Sequence, residues 1–287
     1  MPTSGTRPRR SGIVFFLAIV AVIGAVVFVV MRGTSSVPEL PGCTAEVSGR
    51  TVYLDPDQAA NATLIAAIGT RRGLPARAVS IALAAAYQES KIHNLPYGDR
   101  DSLGLFQQRP SQGWGTVAQI SNEDYSINRF YEALENVDGY QSMRITEAAQ
   151  RVQHSGYPEA YEPHAPDARA LASSLTGYSP GGTFSCVVPE PKGHGTAAAT
   201  TAALTKAYGD LEVARTGSRQ DLTVTVPAGA DGQRLGWSVA AYLLGHAATS
   251  RIDAVSFDGL TWRTGDDSEK GWVKSSASAT KVTVVLH

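Results

Sequence analysis

The chain has 287 residues, of which 43% are hydrophobic and 18% are charged, and its formal net charge is −1. This length allows one large or two modest globular domains, because domains usually contain ~100–200 residues. The balanced charge argues against nucleic acid as a partner, since nucleic-acid-binding domains normally carry a basic excess. Two cysteines are too few for a disulfide-framework miniprotein or for a zinc site made of four cysteines.

An uncharged apolar segment at residues 13–31 follows a short basic N-terminus at residues 1–12. A helix over this segment would span roughly 28 Å, close to the ~30 Å hydrocarbon core of a bilayer. Three arginines precede it and one follows closely, so the positive-inside tendency places the rest of the chain outside the cytoplasm. The alternative is a cleaved signal peptide, although the apolar run exceeds the usual ~7–15 residues. The pattern predicts a single-pass cell-membrane protein that is anchored in the lipid bilayer and has an extracytoplasmic bulk.

The predicted extracytoplasmic location bears on the state of the two cysteines. Outside the cytoplasm thiols tend to pair, so we expect a disulfide between Cys43 and Cys186. Two separately buried thiols are the alternative.

The rest of the chain divides by composition and periodicity. We expect a tether at residues 32–42, a helical domain at 43–177, a linker at 178–196 and a smaller α+β domain at 197–287. Apolar residues at helical spacing predict helices at residues 55–72, 76–90, 122–137, 145–155, 167–177, 202–211 and 232–248. Strand patterns occur at residues 221–227, 252–257, 260–265, 271–276 and 281–287, with an Asp258-Gly259 turn between the second and third. Thr146 is the expected N-cap of the fourth helix.

Glu89 lies at the C-terminal end of an alanine-rich predicted helix. Apolar surroundings and the partial negative charge of the helix terminus both raise the pKa of a carboxyl group at such a position. A carboxyl group that stays protonated near neutral pH is what a general acid for glycosidic cleavage requires. The alternative is an ordinary surface glutamate at a helix end.

The residues around Glu89 carry a more specific pattern. Glu89-Ser90 ends the helix, and Ser102-Leu103-Gly104-Leu105-Phe106-Gln107 follows after a short loop. The pair and the run resemble those of the soluble lytic transglycosylase and goose-type lysozyme group of the lysozyme superfamily, with Phe in place of Met. The resemblance covers residues 60–175. It implies a mainly α lysozyme-like domain, followed here by the smaller C-terminal α+β domain and preceded by one transmembrane helix.

The resemblance also implies roles for individual residues. Glu89 would protonate the glycosidic oxygen between the amino sugars of peptidoglycan. The expected substrate-binding residues are Ser90, Ser102, Gly104, Gln107, Trp114 and Gln153. Gln153 belongs to a weak counterpart of the family's Ala-Tyr-Asn-Ala-Gly motif, which here lacks the tyrosine and the asparagine. Trp114 is flanked by glycines and is equally consistent with stacking on a sugar face and with core packing.

Asp99 and Asp101 are the candidates for a second catalytic carboxylate, which glycoside hydrolases usually need. Their alternative role is turn chemistry, because Asp side chains accept hydrogen bonds from neighbouring N–H groups. Without a second carboxylate, a lytic transglycosylase route remains open, in which a hydroxyl group of the substrate attacks and an anhydro sugar forms.

The sequence therefore predicts cleavage of peptidoglycan glycan strands by an enzyme without a metal or a cofactor. The histidines show neither helical ligand spacing nor a zinc-binding motif. The alternative is a catalytically inactive lysozyme-like module that binds or scaffolds within a cell-envelope complex, because a fold does not guarantee activity. In either case the C-terminal domain is a candidate surface for a cell-envelope protein partner.

Overall fold

The computed structural model of the protein describes residues 40–154, 157, 159–216 and 221–287. The predicted membrane span at residues 13–31 lies outside the described residues. Within the described ranges, none of the helices has both the length and the apolar character needed to cross a bilayer.

The described ranges contain nine α-helices and three short 3₁₀ helices. The described helices are α1 (Pro56–Arg71), α2 (Ala76–Ser90), α3 (Val117–Ile120), α4 (Glu123–Glu135), α5 (Ile145–Gln153), α6 (Ala165–Leu175), α7 (Ala197–Tyr208), α8 (Ala230–Gly245) and α9 (Ala247–Ser250). Short 3₁₀ helices lie at Pro110–Gln112, Glu162–His164 and Gly265–Lys270.

The strands form two antiparallel sheets. They are β1 (Gly42–Val47), β2 (Arg50–Leu54), β3 (Phe184–Val187), β4 (Glu212–Thr216), β5 (Asp221–Thr225), β6 (Ile252–Phe257), β7 (Leu260–Arg263), β8 (Val273–Lys274) and β9 (Lys281–Leu286). The first sheet has the order β2-β1-β3, and the second has the order β4-β5-β9-β6-β7-β8.

Local sequence explains where α1 and α2 begin and end. Asp55 and Gln58 form a capping box at the start of α1. Gly73, with a φ of 67°, lies just beyond the end of α1, and Pro75 is the N-cap of α2. The C-cap of α2 is Lys91, which adopts the left-handed conformation. The sequence-based boundaries of α2 are thus confirmed.

Helix α2 is the buried centre of the first half. Every residue from Ala78 to Ala86 is buried, and most of them are alanine. The helix packs against α1, α5 and α6, since small side chains allow a close approach between helices. Its last turn, which carries Glu89, is the part of α2 that returns to partial exposure.

The two sheets meet at strand β3, and residues 41–287 form one compact unit. The indole Nε1 of Trp262 donates to the Cys186 carbonyl at 2.8 Å, and that of Trp272 donates to the Phe184 carbonyl at 2.8 Å. These two bonds satisfy carbonyl groups of β3, so that edge of the first sheet is covered by the second half of the chain.

The predicted fold class is wrong. Instead of a mainly α lysozyme-like domain followed by a single α+β domain, the described chain contains two antiparallel sheets, one of which lies largely in the part predicted to be helical. Strands β1 and β2 follow the predicted tether, and β3 lies inside the predicted linker. Two different features of the first sheet were missed. Strands β1 and β2 form a local hairpin whose turn residues, Ser48 and Gly49, both adopt positive φ, whereas β1 pairs with β3 across the helical segment.

Several finer predictions have clear outcomes. The disulfide is confirmed, because Cys43 and Cys186 are bonded and face each other in the β1–β3 register. The Asp258-Gly259 turn is also confirmed, since both residues adopt positive φ between β6 and β7. Thr146 is not an N-cap: α5 begins one residue earlier, Arg144 is its N-cap, and Thr146 is buried inside the first turn.

Candidate active site

Glu89 is partly buried in the last turn of α2, where its carboxyl group meets side chains from two other segments. The Tyr161 hydroxyl donates to Glu89 Oε1 at 2.7 Å. The Gln153 side chain, at the end of α5, also hydrogen bonds to the Glu89 carboxyl group. The Gln153 amide donates in addition to the Phe106 carbonyl at 2.8 Å, so Gln153 links the acid to the loop that follows α2.

The environment raises the pKa of Glu89. Burial is the largest cause, because a carboxylate loses hydration, while the hydrogen bonds from Tyr161 and Gln153 act in the opposite direction. In the part of the chain that the structure describes, Glu89 forms no ion pair. The group is therefore set up to hold a proton at a higher pH than an exposed glutamate would.

The two residues before Glu89 contact the same short 3₁₀ helix that follows Tyr161. The Tyr87 ring stacks on the His164 ring, with centroids 5.0 Å apart. His164 Nε2 lies 3.0 Å from Gln88 Oε1. Burial and the nearby Lys91 charge lower the pKa of His164. Three consecutive side chains of α2 thus hold the segment that presents the Tyr161 hydroxyl to Glu89.

The backbone just after Glu89 is strained. Lys91 and Ile92 have φ values of 56° and 62°, which are unusual for a long side chain and rarer still for a β-branched one. Their carbonyl groups accept hydrogen bonds of 2.8 Å from the Gln58 and Asn61 side chains of α1. Helix α1 therefore fixes this turn, and strain held by surrounding structure is a common feature of functional sites.

The hydroxyl and amide groups expected to bind substrate mostly bond within the protein. Buried Ser90 donates to the Leu105 carbonyl at 2.7 Å, and buried Ser102 donates to the Asp99 carbonyl at 2.7 Å. Gln107 Nε2 donates to the Tyr97 carbonyl at 3.2 Å, while its Oε1 accepts from Ser102 at 3.0 Å. These contacts give Ser90, Ser102 and Gln107 a clear role in shaping the loop between α2 and α3.

Gly104 is required by the loop itself. Its φ is 81°, and a Cβ at this position would lie 3.1 Å from the Ile120 carbonyl oxygen. The glycine is buried against α3, so its close neighbour in this structure is the protein backbone.

Trp114 is partly buried and packs against the hydrophobic core. Its carbonyl accepts from the Tyr125 hydroxyl at 3.2 Å. This contact orients the glycine-flanked segment against α4.

The two candidate second carboxylates differ in their surroundings. Asp101 Oδ1 lies 2.7 Å from Arg109 Nε, and Asp101 Oδ2 accepts from the Ser111 backbone N–H at 2.8 Å. Hydrogen bonds from Ser111 and Arg109 hold the pKa of Asp101 far below its usual range. The Asp99 side chain is 94% exposed, and its nearest ionic contact is Arg100 at 3.8 Å. The contacts of Asp99 and Asp101 are those expected of side chains that stabilise a turn.

The structure brings together Glu89, Gln153 and Tyr161, and sequence reasoning missed the last of these. Tyr161 is fully buried although it lies in a polar segment between α5 and α6. A tyrosine in a Pro- and Glu-containing stretch belongs to no helical or strand pattern, so no local signal marks Tyr161 as a buried residue. Two residues of the predicted third motif, at positions 155 and 156, lie outside the described residues.

Within the described ranges, no group of three or more His, Cys, Asp or Glu side chains is placed to hold a metal ion. No protein-family model matches this chain, and no curated protein is significantly similar to it.

Proposed function

We propose that this protein cleaves the glycan strands of peptidoglycan and that Glu89 is its general acid. The observation that carries the proposal is a partly buried carboxyl group with a raised pKa and no ionic partner in the described part of the chain. The resemblance of Glu89-Ser90 and the Ser102–Gln107 run to soluble lytic transglycosylases supports the choice of substrate.

The contacts of Glu89 suit proton transfer. The neutral carboxyl group gives its proton to the glycosidic oxygen while the bond from that oxygen to the sugar carbon breaks. The resulting Glu89 carboxylate is then stabilised by donation from Tyr161 and by the Gln153 side chain. Both hydrogen bonds strengthen as negative charge develops, which favours the transition state over the ground state.

The surroundings of Asp99 and Asp101 favour the route that needs one acid. Asp101 is engaged by Arg109 and Ser111, and Asp99 extends into solvent. A hydroxyl group of the substrate would therefore attack the sugar carbon released from the glycosidic oxygen, its proton would pass to the Glu89 carboxylate, and the product would be an anhydro sugar. The activity proposed is that of a lytic transglycosylase.

A second candidate is a module that binds cell-envelope glycan or a partner protein without cutting it. The observation that favours it is the internal hydrogen bonding of Ser90, Ser102 and Gln107, which leaves these groups engaged with backbone carbonyls and with one another.

We also propose an extracytoplasmic location. The Cys43–Cys186 disulfide supports it, because such bonds persist mainly in oxidising compartments. Attachment to the cell membrane through residues 13–31 stays a prediction.

Digestion of purified peptidoglycan by the full-length protein tests the function. We expect wild type to release muropeptides that carry anhydro ends by mass, and Glu89→Gln to lose at least about 100-fold of this rate, as expected for removal of a general acid. Glu147→Gln is the matched control, because Glu147 is an exposed residue of α5 paired with Arg151.

The outcomes separate the candidates. Reducing ends in the products would replace the transglycosylase by a hydrolase. Tight binding to peptidoglycan without any release by wild type, over a range of pH and salt, would favour the non-cutting module. Equal release by wild type and Glu89→Gln would exclude Glu89 as the acid.

A further inference from the structure

The loop between α2 and the next 3₁₀ helix, at residues 91–109, holds Tyr97 in solvent. The Tyr97 side chain is 69% exposed, and it is the only exposed aromatic side chain in this fully described loop. Among the described residues, no hydrogen bond, ring contact or core contact involves its phenol group. The ring is therefore available to a ligand.

Two other exposed tyrosines are engaged within the protein. The Tyr53 hydroxyl donates to the Pro41 carbonyl at 3.0 Å, and the Arg234 guanidinium lies 4.9 Å from the centre of the Tyr178 ring. These contacts account for the position of each ring at the surface. Within the described chain, the position of the Tyr97 ring has no such internal explanation.

The backbone around Tyr97 is fixed by the run that follows it. The Leu95 carbonyl accepts from the Gly104 N–H at 2.7 Å, and the Tyr97 carbonyl accepts from Gln107 Nε2 at 3.2 Å. Both donors belong to the mostly buried run at residues 102–107, so the carbonyl groups of the segment are held from the interior while the Tyr97 side chain stays in solvent.

The residues after Tyr97 are held in the same way. The Asp99 carbonyl accepts from the Ser102 N–H at 3.0 Å and from the Ser102 hydroxyl at 2.7 Å. A Cβ at Gly98 would overlap the Gln107 amide and the Ser102 hydroxyl, so the chain can lie this close only with glycine at that position. An anchored backbone lowers the entropy cost of binding through Tyr97, because little besides its side chain remains to be ordered.

The same loop reaches the Glu89 carboxyl group. Phe106 and Gln107 are consecutive: the Phe106 carbonyl accepts from Gln153 Nε2 at 2.8 Å, and Gln107 Nε2 donates to the Tyr97 carbonyl at 3.2 Å. Gln153 in turn hydrogen bonds to Glu89. Two adjacent residues thus connect the backbone of Tyr97 to the acid, so the exposed ring and Glu89 lie on one continuous part of the molecule.

The neighbours of Tyr97 favour a sugar over a protein as its ligand. The side chains of Asp99 and Arg100 are 94% and 71% exposed, and 3.8 Å separates Arg100 Nε from Asp99 Oδ2. A single aromatic ring beside a carboxylate and a guanidinium matches a pyranose ring, which has a C–H face and hydroxyl groups around its edge. The central part of a protein–protein interface is instead an apolar or aromatic cluster.

We propose that Tyr97 is a stacking platform for a pyranose ring of the glycan strand, with Asp99 and Arg100 hydrogen bonding to hydroxyl groups of the same sugar. The choice of ligand rests on the proposed function, since the strand is the one that Glu89 would cut. Tyr97 binds and orients this strand and takes no part in proton transfer.

Ser102 and Gln107 act on the substrate indirectly in this arrangement. Ser102 holds the Asp99 carbonyl, and Gln107 holds the Tyr97 carbonyl. Their internal hydrogen bonds are what a role in fixing the platform requires.

Binding of a soluble N-acetylglucosamine tetrasaccharide to the full-length chain, measured by calorimetry, tests the platform. A Glu89→Gln background prevents cleavage, so the measurement does not depend on the proposed activity. We expect Tyr97→Ala to weaken binding about tenfold, as for the loss of an aromatic stacking contact. Tyr97→Phe keeps the ring and should bind within about twofold of the parent chain. Tyr178→Ala is the matched control, because it removes another exposed aromatic ring, on the segment after α6.

A loss confined to Tyr97→Ala supports the platform. Equal affinity of Tyr97→Ala and the parent chain, an equal loss in Tyr97→Phe, an equal loss in Tyr178→Ala, or no binding by the parent chain would overturn it.

Failure of the proposed function gives a different result. Absence of muropeptide release by wild type, with binding still dependent on Tyr97, would leave a glycan-binding site without an enzyme. Release by wild type together with an unchanged KM in Tyr97→Ala would keep the enzyme and remove the platform, because loss of a contact made equally to substrate and transition state raises KM.

Discussion

At Glu89, burial and hydrogen bonding act in opposite directions on the same carboxyl group. Burial raises the pKa and is the stronger effect, whereas donation from Tyr161 and Gln153 lowers it. The Tyr161 hydroxyl therefore limits the rise in the pKa of Glu89. It also stabilises the Glu89 carboxylate after proton transfer.

The Tyr161→Phe variant tests this balance. Removing the hydroxyl group takes away a donor that favours the charged form, so we expect the pKa of Glu89 to rise further. The rate of glycan cleavage needs a protonated acid, and its high-pH decline should move to higher pH. Carbon-13 NMR titration of labelled glutamate measures the pKa directly.

Tyr125→Phe is the control for this titration, because its hydroxyl group donates to Trp114 in a different contact. An unchanged or lower Glu89 pKa in Tyr161→Phe would contradict the role assigned to the hydroxyl group.

The end of α2 depends on a neighbouring element. Helix α1 supplies the Gln58 and Asn61 amides that hold the carbonyl groups of Lys91 and Ile92. Both of these residues occupy the left-handed region, which costs an ordinary residue about 1–2 kcal/mol relative to the right-handed conformation. The position of Glu89 is thus fixed by packing between two helices at the expense of local strain.

Glycine at position 91 should relieve part of this strain. We expect Lys91→Gly to increase the free energy of unfolding by about 0.5–1 kcal/mol, because glycine adopts positive φ without a Cβ clash but loses more entropy on folding. Urea denaturation measures the change. Lys91→Gln removes the charge while keeping the side chain, so the difference between the two variants isolates the backbone effect. Equal stability of the two variants would show that the turn is not strained at Lys91.

On the scale of the whole molecule, β1 and β3 join the beginning of the described chain to the segment after α6. The disulfide links facing residues of these strands, and the Trp262 and Trp272 indoles bind the β3 carbonyls from the second half. The helical part that carries Glu89 and the second sheet are thereby parts of one compact unit.

Removal of the disulfide should destabilise this unit strongly. For the 143-residue separation between the cysteines, the chain-entropy model gives roughly 5 kcal/mol as the stabilisation, and we expect Cys43→Ala/Cys186→Ala to lose about 2–5 kcal/mol. Thermal and urea unfolding of the full-length protein measure it. The control is Thr44→Ala/Ser185→Ala, the adjacent facing pair in the same strands. A loss of the same size in both would assign the effect to strand packing and not to the crosslink.

Sequence reasoning was most successful where the signal is local. The boundaries of α2, and with them the position of Glu89 at a helix end, follow from Pro75 and from the run of alanines. The turn at Asp258-Gly259 follows from two residues that tolerate positive φ. The cysteine pairing required one further premise, an oxidising compartment.

The β1–β3 pairing and the surroundings of the acid were beyond sequence reasoning, whereas the β1–β2 hairpin with its Ser48-Gly49 turn is a local feature that was overlooked. Strand β3 has four residues in a Pro- and Gly-rich segment, and its partner β1 lies more than a hundred residues earlier. Tyr161 and Gln153 carry side chains whose partners, Glu89 and the Phe106 carbonyl, are set by how distant segments meet. No periodicity within a window of ten or twenty residues contains that information.

The sequence by itself determined the helix that carries Glu89, the turn at Asp258-Gly259 and the set of residues available for an acid-catalysed reaction. The tertiary structure alone decided that Tyr161 and Gln153 meet this carboxyl group, that Asp101 is engaged by Arg109, and that β3 is bound by two tryptophans. The reason is physical: helix and turn preferences arise from neighbours along the chain, whereas burial, hydrogen bonding and the resulting pKa arise from neighbours in space.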